Sequence, residues 1–378
     1  GLPTRRGALY RQSILLLLDR WTAGKLDAPS LVDILGDKSP LDLYARLAAL
    51  AYDAHTRYGE QSGTPEIAEV LIYTYLKPMG RTIAAELIPY LSENAGILVS
   101  PGQNTERDVF HFAHRTFQEY LAAEEIVRQC VESDAFDLVR RLVVEKPQLW
   151  RIPCTLAGDV LADTERRADL WNLLDDLLDD EVAPYPAADS RWWTVWLAAV
   201  IAHEQGIVDV ASDTLRRGEK AIRQGLIDWL IANIDTPWAL SPQERAACGR
   251  TLGLLGDSRI GVAQIVQGTP VLEWCRIPAD ENGRTFTFGE GDKTQQLSIP
   301  YTYWIAKYLV TYAQFEAFVE ARENGFLKDD YWTPDGRTWR GEKKHPEYFW
   351  NDPQWHIANH PVVSVTWHEA HAFSRWLD

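Results

Sequence analysis

Methionine occurs once in the 378 residues, at Met79, so residue 1 is not expected to be a translation start and the chain reads as a piece of a longer polypeptide. Cysteine is scarce: Cys130, Cys154, Cys248 and Cys275 stand far apart, with no CxxC spacing. That excludes a disulfide framework or a zinc knuckle and suits a reducing compartment. Long hydrophobic runs are missing. Apolar stretches such as Ile14–Leu18 fall far short of the roughly 20 residues that a membrane-spanning helix needs. The basic residues near the N-terminus are followed by no signal-peptide core and cleavage site, so the expected location is cytoplasmic, with no membrane partner. Positive charge is in the minority. The net charge is −16, and residues 1–130, 131–266 and 267–378 are each net negative. No segment is a basic island, and no nucleic-acid partner is expected.

A phosphate-cradling GxxxxGK[ST] loop is absent as well. Such a loop needs successive backbone N–H groups at a loop-to-helix turn, with Lys and a hydroxyl in place. The Gly24-Lys25 pair lacks the first glycine and follows Trp21-Thr22-Ala23 at an expected helix end. ATP hydrolysis by that route is excluded for these residues, and no catalytic residue is expected in them.

What is present is ordinary globular composition, 46% hydrophobic and 24% charged, over a length that implies two or three domains. Leu9, Ile14, Leu17 and Leu18 define a helix over 5–22, and Pro40 opens a second over 40–58 with Leu43, Leu47, Leu50 and Ala51 as its stripe. Helices are predicted at 65–76 and 82–95. The period then changes: Ile97-Leu98-Val99, the turn cluster Ser100–Asn104 and Val109-Phe110-His111-Phe112 predict a β-hairpin. Helical spacing returns at 114–131. Residues 135–266 read as helices broken at Pro147, Pro153, Pro184-Tyr185-Pro186 and Pro237, in the manner of stacked helical hairpins. The acidic knot Asp175-Asp176 and Asp179-Asp180-Glu181 reads as a solvated helix end.

Beyond residue 267 the composition shifts, and eight of the 16 tryptophans lie there. Strands are predicted at 271–277, 286–288, 297–305 and 362–366, with helices at 311–322 and 367–377. The last helix runs to Asp378 with no closing strand after it, so this α+β domain is expected to be an N-terminal half whose partner strands lie outside these residues.

The run Phe110-His111-Phe112-Ala113-His114-Arg115-Thr116-Phe117-Gln118-Glu119-Tyr120-Leu121-Ala122-Ala123 resembles the NACHT family of STAND signalling NTPases, where the winged helix ends and the next helix begins. Leu2-Pro3-Thr4-Arg5-Arg6 resembles the family's segment leading into that module. The resemblance implies that His114 reaches the β-phosphate of ADP and holds the closed state; an imidazole N–H can donate to a phosphate oxygen. The residues alone leave a second role open for His114, a helix-start histidine packed under the wing. ADP or ATP with Mg²⁺ would be bound only by the full-length protein, through an NTPase domain ahead of residue 1.

Residues 270–378 carry a second resemblance. Ile277-Pro278, Tyr303–Thr311, Gln314-Phe315, Asn359–Trp367, Glu369-Ala370, Phe373 and Trp376-Leu377 look like the N-terminal half of a formylglycine-generating-enzyme (sulfatase-modifying) domain, a variant of the C-type-lectin fold. The family's catalytic cysteine pair belongs to the other half, and Cys275 matches neither position. Residues 244–259 resemble the helical linker that joins NACHT helical regions to such domains.

The expected fold is therefore multidomain and mainly α, a winged helix (1–130) and an α-helical repeat arm (131–266), followed by a C-type-lectin-like α+β domain (267–378). Trp332, Trp339, Trp350 and Trp355 in the aromatic loop 331–355 are candidates for a ligand surface, the alternative being that they pack the core. His356, His360, His368 and His371 complete no recognisable ligand set, and no metal is expected. The resemblances imply the sensor part of a bacterial-type signalling protein. It would recognise a protein or peptide ligand at the C-terminal domain and self-oligomerise on activation. A role in antiphage defence and loop diversification by retroelements follow from the same likeness. The alternative is an oxidase acting on protein cysteine once the other half of the domain is present.

Overall fold

The computed structural model describes residues 6–19, 30–58, 66–100, 109–133, 135–163, 166–178, 192–207, 214–235, 241–279 and 285–378. Gly24-Lys25, the turn residues 101–104 and the acidic Asp179–Glu181 lie outside them. The chain divides into two compact units, Gly1–Ala239 and Leu240–Asp378.

The first unit opens with α1 (Arg6–Asp19), α2 (Leu31–Leu35) and α3 (Pro40–Tyr58). Pro40 suits the first turn of α3 because its missing N–H has no helical partner there. Leu43, Leu47, Leu50, Ala51 and Ala54 recur at helical spacing on α3 and are buried. Next come β1 (Ile67–Ala68), α4 (Glu69–Leu76), α5 (Arg81–Pro89), β2 (Leu98–Val99) and β3 (Val109–Phe112). β3 runs antiparallel to both others, with Phe112 opposite Leu98, His111 opposite Val99 and Phe110 opposite Ile67. The expected hairpin thus supplies two strands of a three-stranded wing with β3 in the middle, and residues 67–68 leave the predicted helix 65–76 to supply the third strand.

α6 (Arg115–Ser133) packs against α3 and also against α8 (Pro147–Asp163). Two helical neighbours explain why Tyr120, Leu121, Ala122, Ala123, Ile126 and Val127 are all buried, covering more than one stripe. The small side chains of Ala122 and Ala123 allow close approach. The arm continues with α7 (Asp137–Glu145), α9 (Arg167–Leu177), α10 (Trp192–Glu204) and α11 (Arg217–Asp235). Among the described residues of 131–264 there is no strand.

Pro153 does not break the arm where the sequence predicts; it lies buried inside α8. A proline there removes the N–H that would reach the carbonyl four residues back, that of Leu149. The imidazole of His55 on α3 takes its place, with Nε2 3.0 Å from Leu149 O. The ring packs edge-on against Trp150 with centroids 4.8 Å apart. The helix tolerates its proline because a neighbouring helix supplies the missing donor.

The second unit begins with α12 (Pro242–Leu255), capped by Ser241 and Glu244 in a reciprocal pair of hydrogen bonds. The linker helix that the sequence groups with the arm therefore packs within the C-terminal unit. Three two-stranded sheets follow: β4 (Ile265–Val266) with β5 (Thr269–Pro270), β6 (Trp274–Ile277) with β9 (Tyr303–Ala306), and β7 (Thr285–Phe288) with β8 (Gln295–Ser298). The predicted strand 297–305 is in fact the end of β8 and the start of β9, divided around Pro300, which has no N–H to give a ladder. α13 (Tyr312–Glu320), α14 (Pro334–Arg340) and α15 (Trp367–Leu377) enclose an aromatic core of Tyr312, Phe315, Phe318, Phe326 and Phe373 with two tryptophans. Gln314, wholly buried, pins α13 by donating to Gly261 O at 3.0 Å and Val271 O at 2.9 Å. The predicted strand 362–366 is a single bridge, Thr311 to Pro361, with Val362 N–H donating to Val310 O. Among the described residues no helix is long and apolar enough to cross a membrane.

Candidate functional site

Two surfaces compete for function, one in each unit. In the first, β3 delivers the chain into α6. Ala113 N–H donates to Ile97 O at 2.9 Å, so the strand pairing continues one residue past Phe112. His114 then turns the chain: its carbonyl accepts the N–H groups of Phe117 at 3.0 Å and Gln118 at 3.4 Å, the first hydrogen bonds of α6. Its side chain is exposed, held edge-on against the Phe117 ring at a centroid distance of 5.4 Å. His114 is therefore outside the apolar core, on a base that is rigid on both sides. Phe112 and Tyr120 are buried, as core positions of the motif, and Phe117 is half-buried. His111, facing Val99 across the ladder, is half-buried.

Behind His114 the motif is a polar layer inside the core. Glu119, nearly buried, pairs with Arg115 at 3.0 Å. Glu124 accepts the hydroxyls of Tyr120 at 2.7 Å and of Tyr44 on α3 at 2.9 Å. Burial first, and the Glu124 carboxylate second, push both phenols well above their ordinary range. They remain neutral donors and lock α3 to α6. The His55 contact, which sequence reasoning missed, adds a second lock between α3 and α8. Its signal was a proline in the middle of an apolar helical pattern, which implies a donor from elsewhere.

In the second unit the aromatic loop separates into core and surface. Trp332 is 5% exposed and Trp350 is 7% exposed, and both belong to the buried cluster. Trp332 donates its indole N–H to Phe326 O at 2.8 Å, and the Arg340 guanidinium lies 5.3 Å above its ring. These two are packing residues, unavailable to a ligand. Trp339 is half-buried between the Lys343 ammonium, 3.8 Å from its ring centre, and the stacked ring of His368 at 5.9 Å. Trp355 remains on the surface at 40% exposure, beside exposed Phe349 and Tyr348. Exposed Trp274, Trp304 and Trp367 lie outside the loop that the sequence singled out.

The histidines are held separately. His356 contacts Trp350 O through Nδ1 and Glu316 through Nε2 at 3.2 Å, apart from His368 and His371, which both pack on Trp367. Among the described residues no three His, Cys, Asp or Glu side chains converge as metal ligands. Cys130, Cys154 and Cys248 are buried free thiols, and burial raises all three, Cys130 to about 11 and Cys248 to about 12. They are poor nucleophiles. Cys275 is half-buried in β6, opposite Ile305.

Two family models match the chain: the winged helix-turn-helix domain C-terminal to NACHT over residues 6–126, and the sulfatase-modifying factor enzyme 1-like domain over residues 280–378. No curated protein and no solved structure matches it.

Proposed function

Taking residues 6–126 as a NACHT-associated winged helix and residues 280–378 as a sulfatase-modifying-factor-type domain, we propose that the chain is the switch-and-sensor portion of a nucleotide-regulated signalling protein. In this reading His114 donates to a phosphate oxygen of ADP, held with Mg²⁺ by an NTPase domain of the full-length protein, and so secures the closed state. The C-terminal domain captures a protein or peptide ligand, which releases that state, and self-association follows. The site would be cytoplasmic, and defence against invading genetic elements is a fitting use. One observation carries the proposal: within a motif whose other aromatic residues are buried or half-buried, His114 alone presents its ring to solvent, at a turn fixed by the wing on one side and α6 on the other.

Recognition, rather than oxidation of cysteine, is the role proposed for residues 267–378. Within them Cys275 is half-buried in β6 opposite Ile305, and two suitably placed cysteines in the other half of the domain would favour the oxidase instead. The test is His114→Ala in the full-length protein, read as ADP retained through purification and as basal signalling. A hydrogen bond to a charged group is worth roughly 1.5–3 kcal/mol, so the closed-to-open ratio should fall about tenfold to hundredfold. His111→Ala should leave both readouts unchanged. Equal nucleotide content and equal basal signalling in His114→Ala would defeat the proposal.

A further inference from the structure

The C-terminal unit holds a basic concavity that neither resemblance accounts for. A cleft of about 500 Å³ runs between α12 and the 359–361 loop, with Ala246, Ala247, Gly249 and Arg250 on one wall and His360 and Pro361 on the other. Arg259 and Asn359 complete its lining, and no Asp or Glu is among the lining residues, on a chain whose net charge is −16. Its walls are fixed from beneath. Asp257, with a fully buried carboxylate, accepts Arg259 Nη2 at 2.7 Å and Asn359 Nδ2 at 2.9 Å, and Asn359 Nδ2 also reaches Gly249 O on α12 at 2.9 Å. The Asp257 charge is thereby committed to Arg259, and Arg250, which pairs with no carboxylate among the described residues, supplies the cleft's remaining positive charge. Arg250 is itself oriented, since Nη1 donates to Gln354 O at 2.7 Å. That leaves the rest of a planar guanidinium fork to a ligand. Its field is felt inside the cleft: burial, and then Arg250, hold His360 below the ordinary histidine range.

We propose that this cleft binds an acidic peptide segment, one carboxylate taken by the guanidinium of Arg250 and the backbone laid over the small side chains of Ala246, Ala247 and Gly249. Planar, two-pronged recognition is what an arginine fork offers a carboxylate. The small-residue wall admits a backbone where larger side chains would exclude it. The inference rests on the reading of the C-terminal unit as the recognition element, and it names the chemistry of what is recognised.

The experiment is fluorescence anisotropy on the whole chain with a labelled Gly-Glu-Asp-Glu-Gly peptide, its Gly-Gln-Asn-Gln-Gly counterpart, and inorganic phosphate as competitor. The acidic peptide should bind, more weakly as salt is raised, and the neutral one should not. Arg250→Gln should weaken binding about tenfold or more, the loss expected for one charge-assisted contact. Ala246→Glu, on an exposed helix position, should weaken it similarly without touching the Asp257 network. Unchanged circular dichroism in both variants separates a lost ligand from a lost fold. Equal affinity for the two peptides, or indifference to both substitutions, overturns the proposal and leaves recognition elsewhere on the unit open. Binding of phosphate but not of the acidic peptide overturns the peptide as occupant.

Discussion

Removing the imidazole donor of His55 should cost far more than a surface hydrogen bond, and the cost should depend on Pro153. His55→Phe keeps a flat ring against Trp150 and deletes the donor to Leu149 O. The ordinary helical bond to that carbonyl is missing, because residue 153 has no N–H to offer. A buried acceptor left without a partner costs about 1–3 kcal/mol, and that is the expected loss of stability in the first unit. In a Pro153→Ala background the new backbone N–H reaches Leu149 O, so the same substitution should cost much less. The double-mutant cycle should therefore give a coupling of about 1 kcal/mol or more, against roughly 0.3–0.5 kcal/mol for independent sites. Urea denaturation followed by far-ultraviolet circular dichroism measures all four proteins. The acid limb gives a second check. Burial, with a smaller contribution from the Arg115 charge, depresses the folded-state titration of His55 despite the opposing Leu149 bond. The unfolded chain therefore takes up the proton first, so stability should decline as pH falls from about 6.5 towards the lower folded value. His55→Phe should lose that slope. Additive effects in the cycle, with an unchanged acid limb, would refute the view that His55 substitutes for the bond Pro153 removes.

Further outcomes follow from the second unit. Gly253→Ala in α12 would place a methyl group against the Asn359 side chain and 3.0 Å from Ile357 Cγ2. It should destabilise, although alanine is favoured over glycine in a free helix by about 0.8–1 kcal/mol. Gly249→Ala, with nothing within 4 Å of the added carbon, is its control and should be neutral or stabilising in the same urea titration. Trp332→Ala should cost about 3–5 kcal/mol as a core truncation, whereas Trp355→Ala should stay within roughly 0.5 kcal/mol, both read from intrinsic fluorescence during unfolding. Asp257→Asn should lower stability at neutral pH. Burial opposes the Asp257 charge, but the bonds from Arg259 and Asn359 outweigh it and hold the group below the usual carboxylate range. Its contribution is thus present above about pH 4 and lost as pH falls through the depressed folded value, a loss the variant should not show.

Where hydrophobic periodicity was strong, the sequence was a reliable guide. The helix predicted at 367–377 is α15 residue for residue, and the predicted 311–322 contains α13. β3 and the turn into α6 were legible because alternation gives way to helical spacing within a few residues. Other elements were hidden for identifiable reasons. β1 is two residues long, too short to show a period, and its pairing is set by Phe110 and Val109 more than forty positions later. α14 is hidden inside an aromatic loop, although Thr333 followed by Pro334 is a helix-start signal and Thr333 does cap Gly336 N–H. Val362 and Val363 suggested a strand, but they pack against the aromatic cluster rather than along a ladder. At the candidate sites, spacing could single out His114 and not show whether its ring was exposed. Nor could it separate Trp332 from Trp355, since burial of a loop aromatic depends on helices far away in sequence. Asn359 meets Asp257 and Gly249, and Arg250 meets Gln354, each across about a hundred residues, and no local pattern announces such meetings.

α6 joins the wing at one end and the arm at the other, and its 19 residues make a rod of roughly 28 Å. Two locks bind that rod's surroundings, Tyr44 and Tyr120 on Glu124 towards α3, and His55 on Leu149 from α3 to α8. A rod gripped in this way transmits rotation instead of absorbing it. By the same helix geometry, a tilt of about 5° at the His114 end would carry the far end through about 2.5 Å, comparable to the length of a hydrogen bond. The wing and the first helices of the arm are thus tied together through α6, and a tilt of that size at its wing end would be large enough to make or break contacts in the arm.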